Sequence, residues 1–167
     1  MVTGSISSTF YGRPRSTQDV DIIIEAKIED LRELVKTLQN KKYYADEEAA
    51  AEALSRTTLF NVFDTSSGYK ADLIIRKDRP YSLEEFRRRR IVDVLGLSLY
   101  LVTTEDAILS KLEWAKKGRS ERQFMDALGV AIVQGHRLDW EYMQIWARKL
   151  ELDEFYQRLI EESSKYF

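Results

Sequence analysis

Residues 19–24 read Asp-Val-Asp-Ile-Ile-Ile, and the fold of this chain can be worked out from them. Branched aliphatic residues are favoured in strands, so the segment predicts a β-strand. Side chains of a strand alternate between its two faces. Val20 and the alternate isoleucines are therefore expected in the core, while Asp19 and Asp21 project side by side into solvent or a cleft.

Two carboxylates this close suggest a bound cation. Like charges repel unless a cation lies between them, and Mg²⁺ binds through one or two carboxylates together with substrate phosphates. Asp19 and Asp21 are thus candidate metal ligands. The alternative is the start of an edge strand with two solvated aspartates.

A third acid follows on a later apolar segment, Lys70-Ala-Asp72-Leu-Ile-Ile. An unpaired acid is costly to bury, so Asp72 is expected either at the exposed start of a strand or facing the same cleft as Asp19 and Asp21. Three carboxylates on adjacent strands could hold two metal ions, one at the attacking oxygen and one at the leaving phosphate.

Gly4-Ser5 precedes the loop that leads to the aspartates. Glycine lets a backbone approach a phosphate closely, and a helix starting at Ser5 would direct N–H groups toward it. A plain turn explains the same two residues.

Hydrophobic periodicity divides the chain into an α/β half, about 1–102, and a helical half, about 103–167, packed as one unit. Strands are predicted at 20–24, 59–63, 69–75, 91–95 and 98–102, with the last four forming two hairpins. Helices are predicted at 30–38 and 45–54, from Ser82, over about 104–118 and 121–133, from Asp139, and over about 152–162. The fold class is α+β, with a mixed sheet covered by helices on one face and a C-terminal helical bundle packed on it.

Composition excludes several kinds of site. The chain has no cysteine and one histidine, His136, which excludes thiol catalysis, cysteine–zinc sites and paired-histidine chemistry. A metal would need carboxylate ligands, which favours Mg²⁺ or Mn²⁺. The net charge of −2 argues against a polybasic coat for nucleic acid or membrane. No apolar run approaches the ~20 residues of a membrane span, and no leader is evident, so a cytoplasmic location is expected.

Together, Gly4-Ser5, a spacer of 13 residues, Asp19-x-Asp21 and Asp72 resemble the nucleotidyltransferase fold of the DNA polymerase beta superfamily. The amino-acid sequence is similar to that of the small AbiEii-like branch of this superfamily throughout the chain. The similar stretches are Gly4-Ser-Ile-Ser-Ser-Thr-Phe-Tyr-Gly12-Arg-Pro-Arg15-Ser-Thr17-Gln-Asp19-Val-Asp21, Phe60-Asn-Val-Phe63, Lys70-Ala-Asp72-Leu73, Thr104-Glu-Asp-Ala-Ile-Leu-Ser-Lys111-Leu-Glu-Trp114 and Ser120-Glu-Arg-Gln-Phe-Met-Asp126-Ala-Leu-Gly-Val130. Members usually carry a helix before the Gly-Ser strand, whereas Met1 here stands three residues before Gly4, so we expect either that the start is truncated or that the first strand lacks that cover.

The resemblance implies roles for particular residues. Asp19 and Asp21 would be paired ligands of Mg²⁺ or Mn²⁺, and Asp72 would bind metal or accept the proton of an acceptor hydroxyl. Lys111 would face the cleft as a phosphate-binding cation, although the helical pattern alone predicts a solvated lysine. Asp126 would support the site, although its i,i+4 spacing from Arg122 predicts a surface ion pair.

Other basic residues allow two interpretations. Arg13 and Arg15, in the loop before Asp19, could bind a triphosphate bidentately or form an exposed basic loop. The run 87–90 is Arg-Arg-Arg-Arg, and residues 76–90 hold seven basic against three acidic side chains. This run could contact RNA, but a solvated strand start pairing with acidic C-terminal helices is the favoured interpretation. His136 is predicted in a turn, and Trp114, Trp140 and Trp146 in the core of the helical half.

Three functions remain open from the sequence. The first is Mg²⁺-dependent transfer of a nucleoside monophosphate from an NTP to a hydroxyl on RNA, protein or a small molecule. The second is a catalytically silent binding protein of the same fold, such as a toxin–antitoxin component that pairs with a partner protein or with itself. The third is a helical interaction module carried on an α/β scaffold.

Overall fold

The computed structural model describes residues 1–14, 16–41, 43–94 and 96–166. Within these ranges the strands are β1 (Val2–Thr3), β2 (Asp19–Ile24), β3 (Tyr43–Ala45), β4 (Leu59–Asp64), β5 (Lys70–Ile75), β6 (Arg90–Val94) and β7 (Leu97–Leu101). The α-helices are α1 (Gly4–Tyr11), α2 (Ile28–Asn40), α3 (Glu47–Arg56), α4 (Pro80–Arg88), α5 (Thr104–Gly118), α6 (Glu121–Gln134), α7 (Trp140–Lys149) and α8 (Asp153–Ser163). None of the helices in these ranges has both the length and the apolar composition to cross a bilayer.

The strands form one mixed sheet in the order β3-β4-β5-β2-β1-β7-β6. The β2–β5 and β1–β7 pairs are parallel, and the remaining pairs are antiparallel. The two predicted hairpins are present as β4–β5 and β6–β7. The α+β fold class, with a mixed sheet and C-terminal helices, is confirmed.

One face of the sheet is apolar and covered by α2 and α3. Phe60, Val62, Leu73 and Ile75 of the sheet are buried there against both helices, and Ile22 and Ile24 pack at the margin. These sheet residues alternate in sequence, because every second side chain of a strand points to the same face. The intervening residues therefore point to the opposite face, where α1 and the C-terminal helices lie.

Four of the described helices begin at a side chain that caps them. Asp46, Thr103, Ser120 and Asp139 each accept a hydrogen bond from a backbone N–H in the first turn of α3, α5, α6 and α7. The core of the helical half contains Leu109, Leu112, Phe124, Met143 and Leu159, among others. Tyr81 of α4 belongs to this core, so the core includes residues from both halves of the chain.

Four sequence predictions are wrong in detail. The helix expected at 45–54 begins at Glu47, because Ala45 belongs to the edge strand β3. The helix expected from Ser82 begins at Pro80, whose fixed φ suits the first helical position. Arg87 and Arg88 lie in the last turn of α4 rather than in a strand. Trp114 is 61% exposed and outside the core.

Candidate functional site

The sheet face opposite α2 and α3 carries a row of polar side chains across four strands. Asp21 of β2 is in register with Asp72 of parallel β5, Asn61 of β4 is opposite Asp72, and Thr3 of β1 is opposite Asp21. Asp19 lies two residues before Asp21 and therefore on the same face. The sheet thus brings the three predicted carboxylates to one face, with Asp21 and Asp72 as direct neighbours.

Asp72 is held by two donors. Asn61 Nδ2 donates to Asp72 Oδ1 at 2.6 Å, and Lys70 Nζ donates to Asp72 Oδ2 at 3.2 Å. Lys70 Nζ is also 3.8 Å from Asp19 Oδ1. The hydrogen bond to Asp72 raises the pKa of Lys70, and the charges of the three aspartates contribute to the rise. An ammonium group therefore occupies the space between Asp19 and Asp72.

Asp21 lies half-buried beside the N-terminus of α1. Burial raises its pKa, and the charge of Asp72 adds to the rise. The Ser5 N–H, which donates to Asp21, and the positive charge of Lys111 oppose it. Ser5 is in the first turn of α1, so the N-terminus of this helix is directed at the carboxylate.

Gly4 makes that approach possible. Its φ is +64°, and a Cβ at this position would lie 1.9 Å from Asp21 Oδ2. Only a residue without a side chain can adopt this conformation so close to the carboxylate. The sequence predicts that Gly4 lets the backbone approach a phosphate closely. In the structure Gly4 lies against the carboxylate of Asp21, which occupies the position expected for the phosphate.

The donor chemistry of the row suits a hard divalent cation, because it consists of carboxylate oxygens. In the described ranges, however, no three histidine, cysteine, aspartate or glutamate side chains are grouped so that they could hold a metal ion. The positive charge between Asp19 and Asp72 is the ammonium of Lys70. A metal ion would bind by displacing Lys70, whose long side chain is flexible and 28% exposed.

Beside the row lies a cleft of about 380 Å³. Its floor is the sheet face, with Asp21, Ile23, Leu59 and Ile74. The helices that surround it contribute Gly4 and Ser5 of α1, Ser82 and Glu85 of α4, Ala107, Ser110, Lys111, Glu113, Trp114 and Lys117 of α5, and Gln123 of α6. The remaining lining residues are Thr3, Ile75, Arg76, Lys77 and Arg79.

Lys111 lines this cleft but is not solvated. Its side chain is 7% exposed, and its Nζ is 2.9 Å from Asp126 Oδ2. The prediction of a solvated helix lysine is therefore wrong. The predicted partner of Asp126 was Arg122, but the carboxylate of Asp126 pairs with Lys111 across the α5–α6 interface. The ammonium of Lys111 therefore already has an ion-pair partner where it lines the cleft.

The remaining cations of the cleft are also largely paired. Arg79 makes two hydrogen bonds of 2.6 Å to Glu113, and Lys117 makes one of 2.8 Å to the same carboxylate. Burial favours a raised pKa for Glu113, but the hydrogen bonds and charges of Arg79 and Lys117 together outweigh it and lower the pKa to about 2. Glu85 lies deeper, 4% exposed, and accepts a 2.8 Å hydrogen bond from Ser110.

Sequence reasoning missed Lys70, Asn61, Glu85 and Gln123. The alternation that placed Asp72 also places Lys70 and Asn61 on the same face once the β4–β5 hairpin register is known. Glu85 and Gln123 lie on helices whose spacing resembles any amphipathic segment, so no sequence signal distinguished them.

The basic loop residues lie elsewhere. Arg13 is exposed, packs its methylene groups over Gly129 of α6 and does not line the cleft. Arg15, the other predicted triphosphate ligand, lies outside the described residues. His136 is in a short 3₁₀ turn, Gly135–Arg137.

The arginine run is divided among three environments. Arg87 pairs with Glu84, and Arg88 pairs with Glu105 and Asp106 at the start of α5. Arg89 lies over the rings of Phe86 and Tyr100. The predicted pairing with acidic residues of the helical half is thus made by Arg88.

No protein-family model matches this chain, and no curated protein sequence matches it at a significant level. Among the solved structures that resemble it is the crystal structure of an antigenic nucleotidyltransferase-like protein from Paracoccidioides brasiliensis. The two chains are 13% identical, the match covers 93% of this chain and 83% of that chain, and the TM-score is 0.47. A likeness of this degree assigns neither a family nor an activity.

Proposed function

We propose that this protein is a cytoplasmic nucleotidyltransferase of the polymerase beta type, which transfers a nucleoside monophosphate from an NTP to an acceptor hydroxyl. The observation that carries the proposal is the pairing of Asp21 with Asp72 on adjacent parallel strands, beside Asp19 and the N-terminus of α1. This is the arrangement that the resemblance of the sequence to the AbiEii-like branch implies. Two neighbouring acids held at a cost are expected where they serve chemistry.

Asp19 and Asp21 would hold Mg²⁺ or Mn²⁺, with Asp72 as a third ligand or as the proton acceptor. The bound metal would supply positive charge to the phosphate oxygens. The acceptor oxygen bonds to the α-phosphorus while the bond to the bridging oxygen breaks, and pyrophosphate leaves. Where Asp72 is the proton acceptor, the hydroxyl proton passes to its carboxylate. Positioning and charge stabilisation account for most of such a reaction.

The acceptor is a hydroxyl on RNA, on a protein or on a small molecule. Arg87 is 72% exposed, so a large anionic acceptor could reach it. If RNA is the acceptor, Arg87→Ala lowers the rate of transfer at low salt, and the effect fades as salt rises.

A catalytically silent partner protein of the same fold is the second candidate, and one observation favours it. Lys70 places one positive charge between Asp19 and Asp72, which reduces their mutual repulsion without a metal. In a silent protein the Lys70 contacts would be the permanent state of the site. In an enzyme they would be displaced on metal binding.

The test is transfer of label from each α-labelled NTP with Mg²⁺ or Mn²⁺ to total RNA or cell lysate. We expect transfer by the wild type and none by Asp72→Asn or by the Asp19→Asn, Asp21→Asn double variant. The double variant should also lose the rise in Tm that Mg²⁺ and an NTP produce by mass action. The control is Glu48→Gln, at an exposed glutamate of α3. It also removes one negative charge by replacing an acid with its amide, but it leaves the site intact.

Two outcomes would contradict the proposal that this protein is a nucleotidyltransferase. One is a wild-type protein that transfers nothing from any NTP yet binds a partner chain equally well with Asp72 replaced. The other comes from Lys70→Met, which removes the competing ammonium. This variant should bind Mn²⁺ more tightly than the wild type, and unchanged Mn²⁺ binding would mean that the acids are not metal ligands.

A further inference from the structure

Trp114 exposes a large aromatic surface inside the cleft. The residue lines the cavity from α5, yet 61% of its surface is accessible. Lys117 Nζ is 5.9 Å from the ring centroid, at the outer limit of a cation–π contact, and is hydrogen-bonded to Glu113. The indole is therefore available to a flat ligand.

The floor of the cleft is apolar in part. Leu59, Ile74 and Ile23 lie side by side on β4, β5 and β2, and Leu59 is 44% exposed. Each lies two residues along its strand from Asn61, Asp72 or Asp21, which is about 6.6 Å. An apolar platform thus adjoins the carboxylate row at a short distance along the strands.

Most of the charged groups that line the cleft are paired with one another. Arg79 and Lys117 share the carboxylate of Glu113, and Lys111 is paired with Asp126, so each of these three cations has an ion-pair partner. The Gln123 side-chain oxygen, in contrast, is buried without a hydrogen-bond partner among the described residues. An unmade hydrogen bond of this kind is costly, and a ligand donor would remove the cost.

We propose that this end of the cleft binds the base of an adenine nucleotide, stacked on Trp114 over Leu59 and Ile74 and recognised by Gln123. The inference rests on the proposed function, because the carboxylate row next to the platform is where the α-phosphate would lie. A glutamine amide pairs with adenine by accepting from the N6 amino group and donating to N7. Rotation of the Gln123 amide toward the cleft would provide both contacts.

The experiment measures the binding of AMP, IMP and UMP by calorimetry in EDTA, so that neither metal nor transfer contributes. IMP differs from AMP at the 6-amino group, and UMP has a smaller ring system. We expect AMP to bind at least tenfold more tightly than UMP. Trp114→Ala should weaken AMP binding about tenfold, as expected for loss of one base–aromatic stack, and Trp114→Phe should keep most of the affinity.

Gln123→Leu should abolish the preference for AMP over IMP, because it removes the acceptor for the 6-amino group, whereas the loss of the donor to N7 weakens both nucleotides alike. Met125→Ala is the control, since Met125 is exposed on the same helix and does not line the cleft. Equal affinities for AMP, IMP and UMP, or AMP binding unaffected by Trp114→Ala, would overturn this inference even if label transfer is observed. Selective AMP binding without label transfer would support the base-binding site and contradict the proposed nucleotidyltransferase activity.

Discussion

At the scale of single residues, Gly4 links the backbone of α1 to the carboxylate of Asp21. Glycine is required here for two independent reasons, the positive φ and the absence of space for a Cβ. At Gly68, in the turn between β4 and β5, only the first of these two reasons applies. Its φ is +74°, but nothing lies within 4 Å of where its Cβ would be.

Gly4→Ala should therefore destabilise the protein more than Gly68→Ala. The left-handed backbone costs an alanine about 1 kcal/mol at either site. At Gly4 the carboxylate of Asp21 must also move, which adds about 2 kcal/mol of overpacking. Urea unfolding of both variants measures the difference, and equal losses would show that Asp21 moves aside freely.

Glu85 is a second residue with a measurable signature. Burial raises its pKa to about 7, the hydrogen bond from Ser110 opposes the rise, Asp106 and Glu113 add to it, and Arg79 lowers it. Between pH 4.5 and 7 the folded protein holds a proton that the unfolded chain has released. The contribution to stability is thus present at acid pH and lost as the pH rises through 7.

Glu85→Gln should remove this loss, because an amide stays neutral and its oxygen still accepts from Ser110. A pKa unit corresponds to about 1.4 kcal/mol, so the variant should be roughly 3 kcal/mol more stable than the wild type at pH 8. At pH 5 the two proteins should be nearly equal. Unfolding free energies in urea at both pH values check this, and a difference independent of pH would contradict it.

The sequence predicts residues well where a strict rule applies. Strand alternation placed Asp19 and Asp21 on one face, and the same rule places Asp72 with them once β2 and β5 pair in parallel. No such rule determines which cation approaches an acid. Lys70 lies among the aspartates and Lys111 pairs with Asp126 because of strand register and helix rotation, which depend on the packing of the whole chain.

At the scale of elements, the α5–α6 pair is joined by the ion pair of Lys111 and Asp126. Both side chains are nearly inaccessible, at 7% and 12% exposed. Asp126→Ala would leave a buried ammonium without its carboxylate and should cost about 3 kcal/mol. Lys111→Met combined with Asp126→Leu removes both charges and should be within about 1 kcal/mol of the wild type in urea unfolding.

The same double variant determines what Lys111 does for a ligand. If Lys111 binds phosphate, the folded double variant should bind Mg²⁺–ATP several-fold more weakly than the wild type. Unchanged binding would assign Lys111 to packing alone, and the phosphate would need another cation. Lys77, exposed at the margin of the cleft, would be the next residue to replace.

Predictability of the elements follows their length and the strength of their periodicity. Both hairpins and the capped helices α5, α6 and α7 were predicted because apolar spacing and end signals agree. The three-residue strand β3 was missed because it is too short to show alternation. The sequence predicts a strand at the arginine run, because four identical charged residues show no helical periodicity. In the structure α4 continues through Arg88, and Tyr81 of this helix packs into the helical core.

At the scale of the whole molecule, buried polar contacts cross the predicted boundary between the two halves at residue 102. Arg88 of α4 donates from Nε to Asp106 Oδ2 at 3.2 Å, and its guanidinium lies 3.8 Å from the ring centroid of Tyr142. Asp106 is fully buried and also accepts from Thr103 and Tyr142. We therefore expect the two halves to unfold together, as the prediction of a single unit requires.

Arg88→Met tests this expectation because it leaves the buried carboxylate of Asp106 without its positive charge, at a cost of about 3 kcal/mol. Arg87→Met is the matched control, since its ion pair with Glu84 is exposed and worth little. All three tryptophans lie in the helical half, so their fluorescence reports on that half, and amide hydrogen exchange of β2 and β5 reports on the sheet. In a cooperative unit both probes lose the same free energy in Arg88→Met. A lower fluorescence midpoint with unchanged protection of β2 and β5 would mean that the halves unfold separately, and that the cleft between them can open without unfolding the sheet that carries Asp19, Asp21 and Asp72.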